Sequence, residues 1–468
     1  MSPSGTLQAS DVLSDLPNRP LNVLDSMHED GPKLTEMDQE VATAINRTGR
    51  LRAVPEVIYE RPNPASGVIT PSAQPAAAVV SVVVNCRDSS AGQPIAGLRV
   101  VGFHDFAARW GDEGTTDAAG NVTLRLSGTK IERLYVLPDN RYWGAFRQDH
   151  AITSPITLQI EPLSPSYSDA IRSLYPSPRF NPASGVRVGV LDTGVGPHAD
   201  LNVVAGICTA TGQPASSYQD IDEHGTHVAG LIGGSGGTGL ATRGLALNVP
   251  LCAFRVFDWF GGKLGASNYA ILKAMIFAAT SPYQCDIINL SLGGGPYDPI
   301  VEEAVADARN QGMLVVVATG NDGRKAVSYP AAYAGATAIS AMGLVGSYPS
   351  GCYFEGDVEF PPNGTVDPKE YIADFSNVGP QVACTGLGSG VLSTLPNQSF
   401  GPMSGTSMAA PMVAGAAASL LSNNPSVFGM MRNRARSDAI ERLLTTKCVP
   451  RFGGGNWEGF GLPDPSAV

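Results

Sequence analysis

From Val186 to Gly343, short apolar runs alternate with longer helix-like ones. They read "VRVGVLD", "HVAGLIGG", "PLCAFRVFD", "YAILKAMIFAAT", "CDIINLSLGG", "PIVEEAVADARNQG", "MLVVVATGN" and "TAISAMG". A strand that is apolar at consecutive positions has no face left for water, so it belongs in the middle of a layered structure. Interleaved with helices, such strands predict an α/β domain whose parallel sheet is covered by helices on both faces. In sheets of this kind the polar groups that do chemistry collect where the strands end. That edge is where functional residues are expected.

The rest of the chain has a different texture. At 468 residues it exceeds one ordinary domain. Residues 1–34 are polar and Pro-containing and are expected to be flexible; residues 1–75 as a whole read as a leader or pro-region. Within them "TEMDQEVATAINR" sets Met37, Val41, Ala44 and Ile45 on one helical face, and "RAVPEVIYERP" reads as extended. Residues 76–165 carry β-rich runs such as "AVVSVVVNC", "LRVVGFHDF" and "NVTLRLS", punctuated by turns such as "DAAGN" and "LPDN". They predict a small all-β sandwich. The phrase "QPIAGLRVVGF…GTTDAAGNVTLRL" resembles the carboxypeptidase-regulatory or transthyretin-like sandwich family over about 40 residues. The α/β domain is expected to occupy 166–468.

Composition removes some function classes. The formal net charge is −11 and no Lys/Arg-rich block is visible, which argues against nucleic acid as a partner. No continuously apolar run approaches the length of a membrane span. The N-terminal stretch lacks a basic segment followed by an apolar one, and seven cysteines are scattered singly without a CxxC pair. Both signs predict reduced thiols and a cytoplasmic protein. The alternative is export by a non-standard route, or with a leader absent from this sequence.

Three segments place unusual polar groups at strand or helix ends. "VGVLDTGVG" ends an apolar strand at Asp192. "DEHGTHVAGLIGG" offers His224 and His227 at the start of a small-residue helix, either of which could be the important one. "GPMSGTSMAAPMVAGAAASL" sets Thr406 and Ser407 before an uncharged helix. Each has an ordinary explanation as a turn, a satisfied histidine or an N-cap. Together they supply a carboxylate, an imidazole and a hydroxyl. A serine becomes a nucleophile when a base takes its proton and a third group orients that base.

The order Asp, His, Ser is that of subtilisin. "VGVLDTG", "HGTHVAG" and "SGTSMAAPMVAG" resemble the three signature words of the subtilisin-like serine proteases (subtilases), a resemblance covering about residues 184–465. It implies Asp192 as orienting acid, His224 as general base and Ser407 as nucleophile, with His227 left a structural role. "VVVATGNDG" resembles a fourth word and implies Asn321 as side-chain donor to the oxyanion. "INLSLGGG" resembles the strand that takes up substrate backbone, implying strand addition at Ser291, Leu292 and Gly293. Asp222 falls where relatives line the pocket for the second residue before the scissile bond, and a carboxylate there favours Lys or Arg. Ser328, just before "YP", falls at the floor of the pocket for the residue preceding the bond. A small neutral floor suits a large uncharged side chain.

The resemblance implies a peptide or protein substrate and no cofactor for catalysis. Many relatives bind structural calcium. Asp200 matches one ligand position, but the loop after His224, "LIGGSGGTGLATRG", carries no acidic or amide side chain, so calcium is not supported there. The connection 345–374 is much longer than in relatives and is expected to rim the cleft. The N-terminal region is expected to inhibit the enzyme intramolecularly or to recruit substrate. A dedicated processing protease is favoured over a general degradative one, and both over a non-catalytic binding protein on the same scaffold.

Overall fold

The computed structural model describes residues 21–28, 31–49, 51–60, 70–72, 79–152 and 154–466. Its centre is an eight-stranded sheet. In spatial order the strands are Val203–Cys208, Leu251–Arg255, Val188–Asp192, Ile287–Leu290, Leu314–Ala318, Thr337–Leu344 and Glu370–Ile372, with Val382–Leu387 also paired to Thr337–Leu344. All these pairings are parallel except that of Glu370–Ile372.

Neighbouring residues of one strand enter different cores, as a period of two requires. Val188, Val190, Leu251, Ala253, Leu314 and Val316 join a core with the helices His224–Gly233, Thr406–Ser422 and Arg434–Thr445. Leu191, Cys252, Phe254, Val315 and Val317 face the helices Asn268–Ala279 and Pro299–Asn310. The sheet is therefore dry on both sides, which is why its strands look continuously apolar. The Thr406–Ser422 helix is buried along its entire length. Alanines, glycines and apolar side chains are what such a position tolerates.

The expected β-sandwich is present. Strand Val79–Asp88 lies between Asn121–Ser127 and Ile156–Ile160, and the second sheet runs Trp110–Thr115, Arg99–Asp105, Lys130–Val136, Ala145–Ala151. Val82, Val84, Val100, Leu124, Leu126, Leu134 and Leu158 close its core.

Within the stretch 1–34, expected to be mostly flexible, Asn22–Ser26 pairs antiparallel with Lys33–Glu36; residues 1–20, 29 and 30 lie outside the described part. The expected helix is present as Gln39–Thr48, burying Val41 and Ile45 and ending at Gly49, but it begins too late to include Met37. The long connection 345–374 packs on the sandwich. Its short helix Tyr353–Asp357 drives Tyr353 and Phe354 into an aromatic cluster with Phe103, Tyr135 and Trp143 of the sandwich. Phe146 N and Arg147 Nη1 both donate to Gly351 O, at 3.0 and 2.8 Å. The reason is burial: this loop carries the aromatic area that attaches one unit to the other. Among the described residues no helix is long and apolar enough to cross a membrane.

Candidate active site

Asp192 terminates its strand at the C-terminal sheet edge, and His224 opens the helix that returns beneath it. Asp192 Oδ1 lies 2.7 Å from His224 Nδ1, with both side chains almost wholly buried. A carboxylate can only accept, so the shared proton sits on Nδ1 and Nε2 is left as an acceptor. The close approach depends on Gly225: a Cβ there would stand 2.0 Å from Gly194 O and 3.1 Å from Asp192 Cβ.

Ser407 stands in the first turn of the Thr406–Ser422 helix. Its Oγ and the Nε2 of His224 are both buried and neither has a protein hydrogen-bond partner. Catalytic hydrogen bonds often close only when substrate arrives, so apo geometry of this kind is compatible with proton transfer. Ser407 N is among the first-turn amides that a helix leaves without an internal acceptor, at its positive end.

Asn321 follows the strand Leu314–Ala318. Its Oδ1 accepts from Thr406 N at 2.9 Å and from Thr406 Oγ1 at 2.8 Å. With the oxygen so engaged, Nδ2 is turned toward Gly405, where a Cβ would come within 3.2 Å of it. Gly405 adopts φ 155°, which a side chain would resist. Thr406 thus orients the amide next to Ser407. Ser291 Oγ donates to Ser407 O at 2.9 Å, so its hydroxyl is committed to holding the serine backbone. Leu292 is buried. Ser328 Oγ donates to Thr319 O at 2.9 Å, and would lie 3.0 Å from a Cβ on Gly293. Asp222 is half-buried and its N–H donates to Asp220.

His227 is separated from this group. Its Nε2 faces Val391 O and Gly401 O at 3.2 and 3.1 Å. Burial, with His224 nearby, pushes it down to about 3, so it stays neutral.

Asp200 tests the calcium question. Its carboxylate accepts from Ser235 Oγ at 2.8 Å, Gly237 N at 2.9 Å, and Thr238 N and Oγ1 at 3.1 and 2.5 Å. Burial opposes its charge, but bonds from Thr238, Thr242 and Ser235 outweigh that and hold it down to about 2. A calcium ion needs six to eight oxygens presenting lone pairs. Here N–H and O–H protons point at the carboxylate instead, so the residues do not fit the ion. Among the described residues no group of three or more His, Cys, Asp or Glu could hold a metal.

Three features escaped the sequence reading. Asp220 accepts from Thr193 Oγ1 (2.8 Å) and from Thr226 N and Oγ1 (2.7 and 2.5 Å), tying the Asp192 turn to the His224 helix. In "QDIDEHG" it is one acid among three, and nothing local marks it out. Asp357 Oδ2 accepts from Ser404 Oγ at 2.6 Å and Ser389 Oγ at 2.8 Å, bracing the loop that leads to Ser407. Burial and the nearby Asp374 push it up to about 8.

The third is the strand Ile58–Glu60. It pairs antiparallel with Gly265–Ser267 along one edge. On the other, Glu60 and Gly293 exchange both backbone hydrogen bonds at 3.0 Å. Tyr59 is completely buried, its hydroxyl 3.3 Å from that of Tyr333, and a Cβ on Gly295 would meet its ring at 2.8 Å. Gly293, in the stretch expected to receive substrate, is thus paired with the chain's own N-terminal region.

Comparison with known proteins identifies a family. The family model described as "Subtilase family" matches residues 183–461. An alkaline protease of Alkalihalobacillus alcalophilus is 35% identical over 257 residues, covering 55% of this chain and 59% of its own. Subtilisin Savinase of Lederbergia lenta is 35% identical over 257 residues, 55% of this chain and 84% of its own. A thermostable alkaline protease of Halalkalibacterium halodurans is 36% identical over 243 residues, 52% of this chain and 58% of its own. The matches thus span under two thirds of the two alkaline proteases. They correct one expectation: a set of alkaline proteases and subtilisins points to an exported protein, not a cytoplasmic one. Scattered cysteines and the N-terminal composition were too weak a signal against that.

Proposed function

The chain belongs to the subtilase family, and from that premise we propose that it is a serine endopeptidase acting through an acyl-enzyme. The observation that carries the reading is the buried 2.7 Å contact between Asp192 and His224, with partnerless His224 Nε2 and Ser407 Oγ at the starts of two helices that pack against each other. His224 Nε2 takes the Ser407 proton as Oγ attacks the peptide carbonyl carbon. Asp192 holds the tautomer and stabilises the imidazolium. Ser407 N–H and Asn321 Nδ2 donate to the oxyanion. The imidazolium then protonates the departing amine, and water, deprotonated by the same nitrogen, releases the acyl group. Substrate backbone adds to Ser291–Gly293. Asp222 favours a basic side chain at the second position before the bond, and Ser328 a large uncharged one at the first. The steps as proposed require no metal. Fluorophosphonate labelling tests the assignment: wild type is expected to label and Ser407→Ala not to. Equal labelling of both would refute it.

The same reading includes intramolecular inhibition, supported by the Ile58–Glu60 strand on Gly293. A segment that makes the hydrogen bonds of an extended substrate competes with one. Residues 1–75 then act as the inhibitory pro-region. The sandwich, 76–165, attaches to the catalytic unit, 166–468, through the 345–374 connection rather than through the cleft.

A further inference from the structure

The seven cysteines are free thiols, but they are not equivalent. Cys384 Sγ and Cys448 Sγ lie 3.4 Å apart. Cys384 is fully buried in the strand Val382–Leu387, whereas Cys448, opening the strand Cys448–Val449, is partly exposed. Their backbones are held in place independently of the sulfurs. Cys448 pairs with Pro463 in the strand Leu462–Pro463, and that strand's neighbourhood is bonded to the segment around Cys384. Thr385 N donates to Gly461 O at 3.1 Å and Phe460 N to Ala383 O at 2.8 Å. Two thiols in contact on backbones so fixed need only side-chain rotation to reach the bond length of about 2.05 Å. The other neighbouring pair, Cys252 and Cys285, is completely enclosed, so no oxidant reaches it.

We propose that Cys384 and Cys448 are a disulfide-forming site that clamps the C-terminal segment to the central sheet. The oxidant is a small disulfide such as oxidised glutathione, or the disulfide of a thiol oxidase, supplied by an oxidising compartment of the kind to which an exported protein travels. The Cys448 thiolate attacks one sulfur of that disulfide, forming a mixed disulfide and releasing one thiol. The Cys384 thiolate then attacks Cys448 Sγ, and the second thiol leaves. Two electrons and two protons pass from the cysteine pair to the oxidant, which is reduced to two thiols. Contact with Cys448 and burial both raise the Cys384 thiol, so the accessible partner reacts first. The bond closes a loop that contains the Thr406–Ser422 helix and Ser407. Its stabilising effect comes largely from restricting the unfolded chain.

The test uses full-length Ser407→Ala protein, which cannot digest itself. It is reduced, treated with oxidised glutathione, alkylated and mapped without reductant. The expected result is a peptide pair joining Cys384 to Cys448 with the other five cysteines alkylated. The oxidised form should melt several degrees above the reduced form, a rise abolished by Cys448→Ser and kept by Cys208→Ser. Alkylation of both Cys384 and Cys448, glutathione left on Cys448, or a rise that survives Cys448→Ser would overturn the proposal.

Discussion

Truncating Tyr59 to alanine removes the side chain that anchors the Ile58–Glu60 strand while leaving its backbone pairing with Gly293 and Gly265 intact. Tyr59 is 0% exposed, and a tyrosine buries about 150–250 Å². At about 25 cal/mol per Å² that is roughly 4–6 kcal/mol as an upper bound. Aromatic-to-alanine changes in tight sites cost about 3–5 kcal/mol. Taking about 3–4 kcal/mol, and a factor of ten per 1.4 kcal/mol, the docked-to-undocked ratio falls by roughly two to three orders of magnitude. The assay is the initial rate at which a fluorophosphonate labels Ser407 in intact, full-length protein. Labelling of Tyr59→Ala is expected to be faster by up to that factor. Tyr59→Phe keeps the ring and gives up only the 3.3 Å hydroxyl contact with Tyr333, so it should label within a few-fold of wild type. If Tyr59→Ala labels no faster than wild type, the strand does not govern access and the inhibition argument is wrong.

Asn321→Ala should lower kcat about 10²–10³-fold with little change in KM; the magnitude is one established on subtilisin itself rather than worked from this chain. A large rise in KM with kcat kept would show a ground-state role instead. Because Asp357 is raised to about 8, the folded chain keeps a proton that the unfolded chain releases above about pH 4. Stability should therefore fall as pH rises from about 4 to about 8, and Asp357→Asn should flatten that part of the melting-temperature profile; identical profiles would refute the assignment. Asp200→Ala should destabilise by about 2–3 kcal/mol, from loss of charge-assisted bonds, and EDTA should leave the wild-type melting temperature unchanged. A drop with EDTA that calcium restores would contradict the account of that loop.

The α/β core was readable because its physics is local. A strand buried on both faces shows as a continuous apolar run, and a fully buried helix as a run of small uncharged residues. The Asp192, His224, Asn321 and Ser407 segments were readable for a different reason. Singly each also reads as a turn, a cap or a local histidine; it was their joint resemblance to the subtilase words that set them apart, and Gly225 and Gly405 show in the structure why such words carry glycines. Asp220 and Asp357 lie in no such word. Their importance lies in which hydroxyls and amides converge on them from distant segments, and an isolated aspartate in a loop looks the same either way.

By itself, then, the amino-acid sequence determined the two kinds of layer, the order of the parallel strands' runs, and the four polar side chains placed at their ends. Tertiary structure alone decided what pairs with Gly293 and what joins the units. Glu60 meets Gly293 through backbone N–H and C=O groups, which every residue except proline carries, so no side-chain pattern announces the pairing. Tyr353 and Phe354 could have served any core, and two scattered cysteines, Cys384 and Cys448, became neighbours only when strands 64 residues apart were laid together. Such choices rest on long-range burial and backbone satisfaction, which no short stretch of chain encodes.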